Sequence, residues 1–432
     1  LQHDSRKELP GGGCLLLFGD IPGTKGTIEW YYRGRSRIFL SHIMLYMNRK
    51  AFLSVITGLF LLPCCHSAQK AEPISRQDTA TLQGVIDSFD RQLEEEHQRD
   101  TVGSLSAIVF VGNKIAWSKA FGKADNEKGI DASVSTVYRI GSISKTFTAY
   151  LMLLLVQDGT IGLDEPVARY LPEIKKLKRK EGIDTSEITF RELASHTGGL
   201  AREPGLWNAA AGPIGDWENK VLSSIPTTDV TFPPGTKFSY SNIGYGILGL
   251  ALSRAAHEPF MQMVENRIFK PLHMTSSFYI IPAGYEDRVA VGYHRNSLSG
   301  KPDGEVSKAE YAGRGYKVPN GGIYTTTGDL ARFVMAQYSD SGQLAKKYRE
   351  MMQTIQTPGE GKYGYGFGLN IIYPKDGSKI AGHDGAVAGY TAFMMFSPGS
   401  KAGAIVVRNC DYGVERIEGE VAKVVEGLAK VN

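Results

Sequence analysis

The stretch "RIGSISKTFTAYLMLLL" (139–155) sets a Ser-x-x-Lys pair, Ser142 and Lys145, at the mouth of a long apolar run. The run predicts a helix from Ser142 to about Gly159. Residues three apart on a helix share a face, so hydroxyl and amine meet. Two readings are open. Lys145 is a surface residue and Ser142 a helix cap, or the pair is a nucleophile and its base. On the second reading, unpaired N–H groups and the positive end of the helix dipole favour a developing oxyanion at Ser142. Lys145, flanked by Phe147, Tyr150 and Leu151, loses water, and its pKa falls toward the range useful to a general base. Spacing alone decides nothing, because Ser67 and Lys70 repeat it with no helix to organise them.

Working outward, apolar residues at Leu82, Val85, Ile86, Phe89 and Leu93 predict an amphipathic helix within residues 74–98. "SLSAIVFVGNKIAWSKAFG" follows (104–122) and reads as two strands around Gly112-Asn113, a hairpin signal. A long helix-rich middle runs to about residue 320. Strands then return in "YGYGFGLNIIYPKDGSKIAGHDG" (363–385), "YTAFMMFSP" (390–398) and "AGAIVVRN" (402–409), and residues 413–430 close as an amphipathic helix. The expected fold class is therefore mixed α/β: an antiparallel sheet built from both chain ends and flanked by helices. A helix-rich subdomain, about 142–320, is inserted between them. A cleft between the two is the natural ligand site.

Charge excludes one function class. Of 49 Lys and Arg, eight lie in residues 1–68, and of 45 Asp and Glu, four lie there, leaving 41 of each beyond. With a neutral remainder and no basic stripe, a nucleic-acid partner is not expected. "MNRKAFLSVITGLFLLPCCHSA" (47–68) carries a basic start, an apolar run of 13 and a small-residue exit. It reads as a signal peptide, too short to span a bilayer, or else as an N-terminal anchor. Residues 1–46 lack a period and read as an upstream segment, non-native or unstructured. The main domain is expected over 74–432, exported to the periplasm or secreted, or held at a membrane by an uncleaved leader. Of four cysteines only Cys410 follows the leader, so neither a disulfide framework nor a cysteine metal cluster is expected.

Two further boxes carry chemistry. "FPPGTKFSYSNIGYGILG" (232–249) presents Tyr240-Ser241-Asn242 after a Pro-Pro-Gly turn and before an apolar helix. Tyr240 could share the proton of Ser142 if cationic neighbours lower its pKa, and Asn242 could donate to a substrate carbonyl. The plain alternative is a core tyrosine with a capping Ser-Asn pair. "AGHDGAVAGY" (381–390) offers His383 and Gly385 on a strand edge, an imidazole beside a glycine that admits a substrate backbone, or simply a strand-end histidine.

In this order Ser-x-x-Lys, Tyr-Ser-Asn and His-x-Gly resemble the serine β-lactamase and penicillin-binding-protein superfamily. "ITFRELASHTGGL", "IFKPLHMTSS" and "NGGIYTTTGDLARF" resemble its class C branch, which also holds D-alanyl-D-alanine carboxypeptidases, D-aminopeptidases and carboxylesterases. The resemblance covers about residues 75–430. It implies an exported serine hydrolase working through a covalent acyl-enzyme on β-lactams, D-amino-acid peptides or short acyl esters. Ser142 is then the nucleophile, Lys145 and Tyr240 the proton-shuttling pair, and Asn242 the substrate-orienting amide. His383 stands where many relatives have lysine. The backbone N–H groups of Ser142 and Ala386 form the oxyanion hole, and Arg416 lies where some relatives bind a substrate carboxylate. No metal or organic cofactor is implied, and the partner is a small-molecule or peptide substrate. His196-Thr197-Gly198 and Lys375-Asp376-Gly377 also fit the third box. The first matches the family's structural "SHTGGL", and the second reads as a hairpin tip. Two departures shift the substrate toward esters, amides or N-terminal D-residues. His383 makes the local charge pH-dependent, and Asp384 repels a substrate carboxylate. The competing reading is a penicillin-binding sensor or scaffold of the same fold that does not turn over.

Overall fold

The strand signals at the two ends of the chain converge on one sheet. The structure, a computed structural model, describes residues 81–99, 103–295, 302–310, 313–340, 342–359, 361–411 and 415–431. All of these belong to one compact unit, Glu72–Asn432. The readings of residues 1–46 and of the leader at 47–68 lie outside the described residues, as do Ser67 and Lys70.

After helix α1 (Leu82–Arg99), strands β1 (Ser104–Val111), β2 (Lys114–Asp125) and β3 (Ile130–Asp131) come from the front of the chain. Strands β4 (Tyr363–Tyr365), β5 (Asn370–Ile372), β6 (Ile380–Val387), β7 (Tyr390–Ser397) and β8 (Ala402–Arg408) come from the back, before helix α4 (Glu415–Val431). The sheet order is β4-β5-β6-β7-β8-β1-β2-β3, antiparallel throughout. The β8–β1 ladder, with Ile108 opposite Ile405, joins the two chain ends. The β1–β2 connection is the expected two-residue turn, with Gly112 at φ 60°, a conformation glycine adopts without steric cost.

Side-chain alternation along the strands divides the interior into two layers. Leu105, Ala107 and Val109 of β1, with Ala404 and Val406 of β8, pack against Val85, Ile86 and Phe89 of α1 and Val421, Val425 and Leu428 of α4. Ile108 and Phe110, with Ile405 and Val407, face the larger core. That core is built around two buried helices, α2 (Ser144–Gln157) and α3 (Asn242–Ala256). Every residue of α2 from Ser144 to Leu155 is buried, as expected of a helix apolar on all sides. The hydroxyls of Ser144, Thr146 and Thr148 are all paired. Ser144 Oγ accepts from the N–H of Ile323 at 3.2 Å. Thr146 and Thr148 donate to the carbonyls of Gly368 at 2.7 Å and Pro319 at 2.6 Å. These bonds pin the helix to the two segments that wall the cleft. Phe147 stacks on Phe333 with ring centroids 3.7 Å apart.

Helix α3 starts at an N-cap, Ser241, whose Oγ accepts from the N–H of Gly244 at 3.0 Å. Glycine at 249 lets the segment carrying Asn320 lie against this helix. A Cβ there would stand 2.3 Å from Pro319 Cγ. Among the described residues no helix is long and apolar enough to cross a membrane.

Candidate active site

Three segments far apart in the chain meet at the junction of α2, α3 and β6. Ser142 lies in a 3₁₀ turn, Gly141–Ile143, immediately before α2, rather than in the helix itself. Lys145 is in the first turn of α2 and is fully buried. Its Nζ lies 3.0 Å from Ser142 Oγ, 2.8 Å from Asn242 Oδ1 and 3.2 Å from the carbonyl oxygen of Asn320.

Two of these neighbours are carbonyl oxygens, which only accept. An uncharged amine has two N–H groups and one lone pair. Its two hydrogens go to Asn242 and Asn320, and its lone pair then faces the hydroxyl of Ser142. The electrostatics agree. Burial disfavours the ammonium form, Arg202 and Lys317 add to this, and the pKa lies well below the ordinary 10.5. The burial does not come from Phe147 and Tyr150, the sequence neighbours. It comes from Tyr240 and Tyr245, whose ring centroids lie 4.8 and 5.7 Å from Nζ.

The phenol of Tyr240 faces Ser142. The expectation that cations lower its pKa is corrected. Burial dominates and raises it, Asp384 raises it further, and Ser142 and the charge of Arg202, which lower it, only partly offset this. Tyr240 is therefore a neutral phenol at ordinary pH, able to pass a proton on but not to act as a standing phenolate. Its ring lies under the guanidinium of Arg202, 4.9 Å away.

Asn242 is more committed than the sequence suggested. Its Oδ1 accepts from Lys145, and its Nδ2 donates to Glu203 Oε1 at 2.6 Å. Glu203 also accepts from the phenol of Tyr316 and lies 3.8 Å from Lys317 Nζ. This carboxylate fixes which way the amide points. Both ends of the Asn242 side chain are engaged within the protein, so its first role is to hold the amine of Lys145. Asn320 completes the frame by donating its Nδ2–H to the Asn242 carbonyl at 2.7 Å.

His383 is on β6, buried, and both ring nitrogens are occupied. Nδ1 lies 2.6 Å from the carbonyl of Asp384 and Nε2 2.9 Å from the phenol of Tyr365. A carbonyl accepts, so Nδ1 carries the hydrogen, and Nε2 accepts from Tyr365, whose own pKa burial pushes well up. Burial also lowers the His383 pKa, with Asp384 opposing. The expected pH-dependent charge is thus displaced below the usual histidine range, and the ring is neutral at pH 7. Asp384, the next residue, is exposed, and it raises the pKa of Glu418, after burial.

Strand β5 pairs β6 only as far as Gly382, opposite Asn370. The β6 edge from His383 to Val387 is left without a strand partner on that side. Gly385 lets this edge touch the nucleophile turn. A Cβ at 385 would sit 2.0 Å from the Ile140 carbonyl oxygen and 3.1 Å from Ser142 N, and one at Gly141 would sit 2.9 Å from Ala386 N. The backbone N–H groups of Ser142 and Ala386 therefore lie on facing segments beside Oγ of Ser142.

Arg416 belongs to the first turn of α4, and its side chain lies outside the described residues. Lys375-Asp376-Gly377 forms the exposed turn between β5 and β6. His196 is closer to the chemistry than its reading as a family structural segment implied. It is buried, its Nδ1 accepts from the N–H of Ser241 at 3.0 Å, and its ring lies 4.3 Å from that of Tyr240. Sequence reasoning did not find Glu203, Tyr316, Asn320 or Tyr365. The available signal for Asn320 was the "PNGGIYTTTG" segment already noted as family-like. Among the described residues no group of His, Cys, Asp and Glu is arranged to hold a metal.

Comparison with known proteins agrees with this geometry. The Beta-lactamase family model matches residues 89–426. Protein flp of Staphylococcus aureus strain N315 is 25% identical over 325 residues, 74% of this chain and 62% of that protein. The chain thus spans less than two thirds of the length of the curated relatives it first matches. The D-alanyl-D-alanine-carboxypeptidase/endopeptidase AmpH of Escherichia coli K12 is 25% identical over 378 residues, 84% of this chain and 91% of that one. A class C beta-lactamase mutant superposes with a TM-score of 0.66 over 80% of this chain and 97% of its own, at 19% identity, a likeness of fold.

Proposed function

The chain belongs to the Beta-lactamase family, and from that premise we propose that it is a serine hydrolase that works through an acyl-enzyme on Ser142. One observation carries the reading: the buried amine of Lys145, its pKa lowered by burial, stands 3.0 Å from Ser142 Oγ and is held there by the Asn242 and Asn320 carbonyl oxygens at 2.8 and 3.2 Å. Oγ attacks the substrate carbonyl as its proton passes to Lys145. The tetrahedral oxyanion is held by the N–H groups of Ser142 and Ala386. The neutral phenol of Tyr240 relays the proton from Lys145 to the leaving group, and the acyl–oxygen bond to Ser142 remains. Water then takes the leaving group's place, gives its proton along the same path and releases the acid.

The favoured substrate has no carboxylate beside the scissile bond: an ester, an amide or a peptide with an N-terminal D-residue. His383 is neutral and its nitrogens are occupied, so it offers no charge to an anion. Asp384 and Glu418 add negative potential at the rim. The leader reading of residues 47–68 makes the enzyme an exported one, and mass spectrometry of the mature N-terminus checks it.

The test is a rate comparison on a p-nitrophenyl ester, nitrocefin and a D-amino-acid peptide, with Ser142→Ala as control. The ester or D-peptide is expected to lead, and the variant to be inert on all three. Undiminished turnover by Ser142→Ala removes Ser142 from the mechanism. Acylation without release identifies the competing reading, a non-turnover penicillin-binding sensor.

A further inference from the structure

Behind the catalytic amine, on the far side of the Asn320-Gly321 peptide, two arginines are buried together. Arg139 is 1% exposed and Arg314 0%. Arg139 Nε and Arg314 Nη1 both donate to the carbonyl of Gly321, each at 3.4 Å, so the two guanidiniums converge on one oxygen. Arg314 Nη1 also donates to the carbonyl of Gly322 at 2.5 Å, and its plane lies 4.7 Å from the ring of Tyr324. Glu310 accepts from Arg139 Nη1 and is the carboxylate that acts on the pair.

Two features of this cluster are unbalanced. Among the described side chains, two buried positive charges face one carboxylate, itself one-third exposed. Three buried donor atoms also have no partner: Arg139 Nη2, Arg314 Nε and Arg314 Nη2. The last two form one edge of the guanidinium, the fork that grips an anion through two parallel N–H bonds. Burying an unpaired guanidinium edge is costly, and proteins pair such charges. The unmet guanidinium groups are all donors, and a negative charge is the partner that suits them.

We propose that this cluster binds one small monovalent anion, a halide or a small carboxylate, on the free edge of Arg314 and the Nη2 of Arg139. The anion neutralises the buried pair and so fixes the Gly321 carbonyl. That carbonyl closes the same peptide segment whose Asn320 carbonyl takes a hydrogen from Lys145. Both guanidiniums are buried, so a bound ion leaves slowly. Burial, followed by the charge of Arg139, lowers the Arg314 pKa to about 10, which an anion would reverse.

The test uses the whole chain. Portions are exchanged into chloride, formate or gluconate at equal ionic strength, gel-filtered into gluconate and denatured, and the released anions are measured by ion chromatography. Melting curves are recorded in the same three salts. Retention of one chloride or one formate per chain is expected. So is a melting temperature higher than in gluconate, on the order of 2 °C or more. The retained ion distinguishes the halide from the carboxylate. Arg314→Met is expected to abolish both effects. Should that variant not fold, a bromide soak of crystals of the unsubstituted protein, read by anomalous scattering, places a peak at the guanidinium fork. Release of neither ion with identical melting in all three salts overturns the proposal, as does a bromide map empty at the fork of a protein that retains chloride.

Discussion

Replacing Lys145 with methionine tests the base assignment and separates chemistry from folding. The thioether fills much of the amine's volume but accepts no proton. General-base assistance accounts for about 10²–10⁴ in rate, so acylation should fall by roughly that factor, about 3–5 kcal/mol in activation free energy. The structural cost is of another kind. Asn242 Oδ1 and the Asn320 carbonyl lose donors at 2.8 and 3.2 Å, about 1–3 kcal/mol for each acceptor left unsatisfied. Relief from burying an ionisable group offsets part of this, with a definite sign against pH. The folded-state pKa of Lys145 is depressed, so below it the buried ammonium carries its full penalty. As pH rises from that value toward the unfolded value of 10.5, the penalty disappears. The methionine variant therefore lacks this rise in stability with pH. The assay is the pre-steady-state burst of p-nitrophenol from p-nitrophenyl acetate, beside thermal melts at several pH values. Acylation within tenfold of the unsubstituted protein would refute the base assignment.

Other outcomes follow from the same geometry. Tyr240→Phe keeps the ring that lies 4.3 Å from His196 and should fold normally, with turnover lowered about 10²-fold or more by steady-state kinetics. The pH profile of kcat/KM should rise through the depressed pKa of Lys145 and show no limb near pH 6.5 from His383, because burial holds that ring neutral. A limb there that vanishes in His383→Asn would contradict the reading of the histidine. Gly385→Ala drives a methyl to within 2.0 Å of the Ile140 carbonyl, and calorimetry should show a loss of about 1–3 kcal/mol together with lost activity. Asp384→Asn should raise nitrocefin turnover relative to the ester in a competition of rates, and an unchanged ratio would remove Asp384 from substrate selection.

The frame of the fold was legible because it rests on local signals. The Gly112-Asn113 turn, the alternating strands and the amphipathic terminal helices each declare themselves within about twenty residues. What the sequence hid depends on burial and on distant partners. Glu203 orients Asn242 from 39 positions away, and Asn320 meets Lys145 across 175. No period records either contact. The direction of the Tyr240 pKa was misjudged for the same reason. Arg202 does sit near the ring, but removal of the phenol from water outweighs it. The arginine pair at 139 and 314 was equally invisible, since nothing in the stretch that Arg139 opens points to Arg314 and their shared partner is a backbone carbonyl.

The central claim is a covalent bond at one oxygen. The protein is mixed with an ester or a penicillin, quenched in acid within milliseconds, digested and mapped by mass spectrometry. The acyl mass is expected on the peptide containing Ser142, and is expected to be absent from Ser142→Ala. An acyl group on any other residue, or hydrolysis with no adduct at Ser142 at any quench time, would contradict the account.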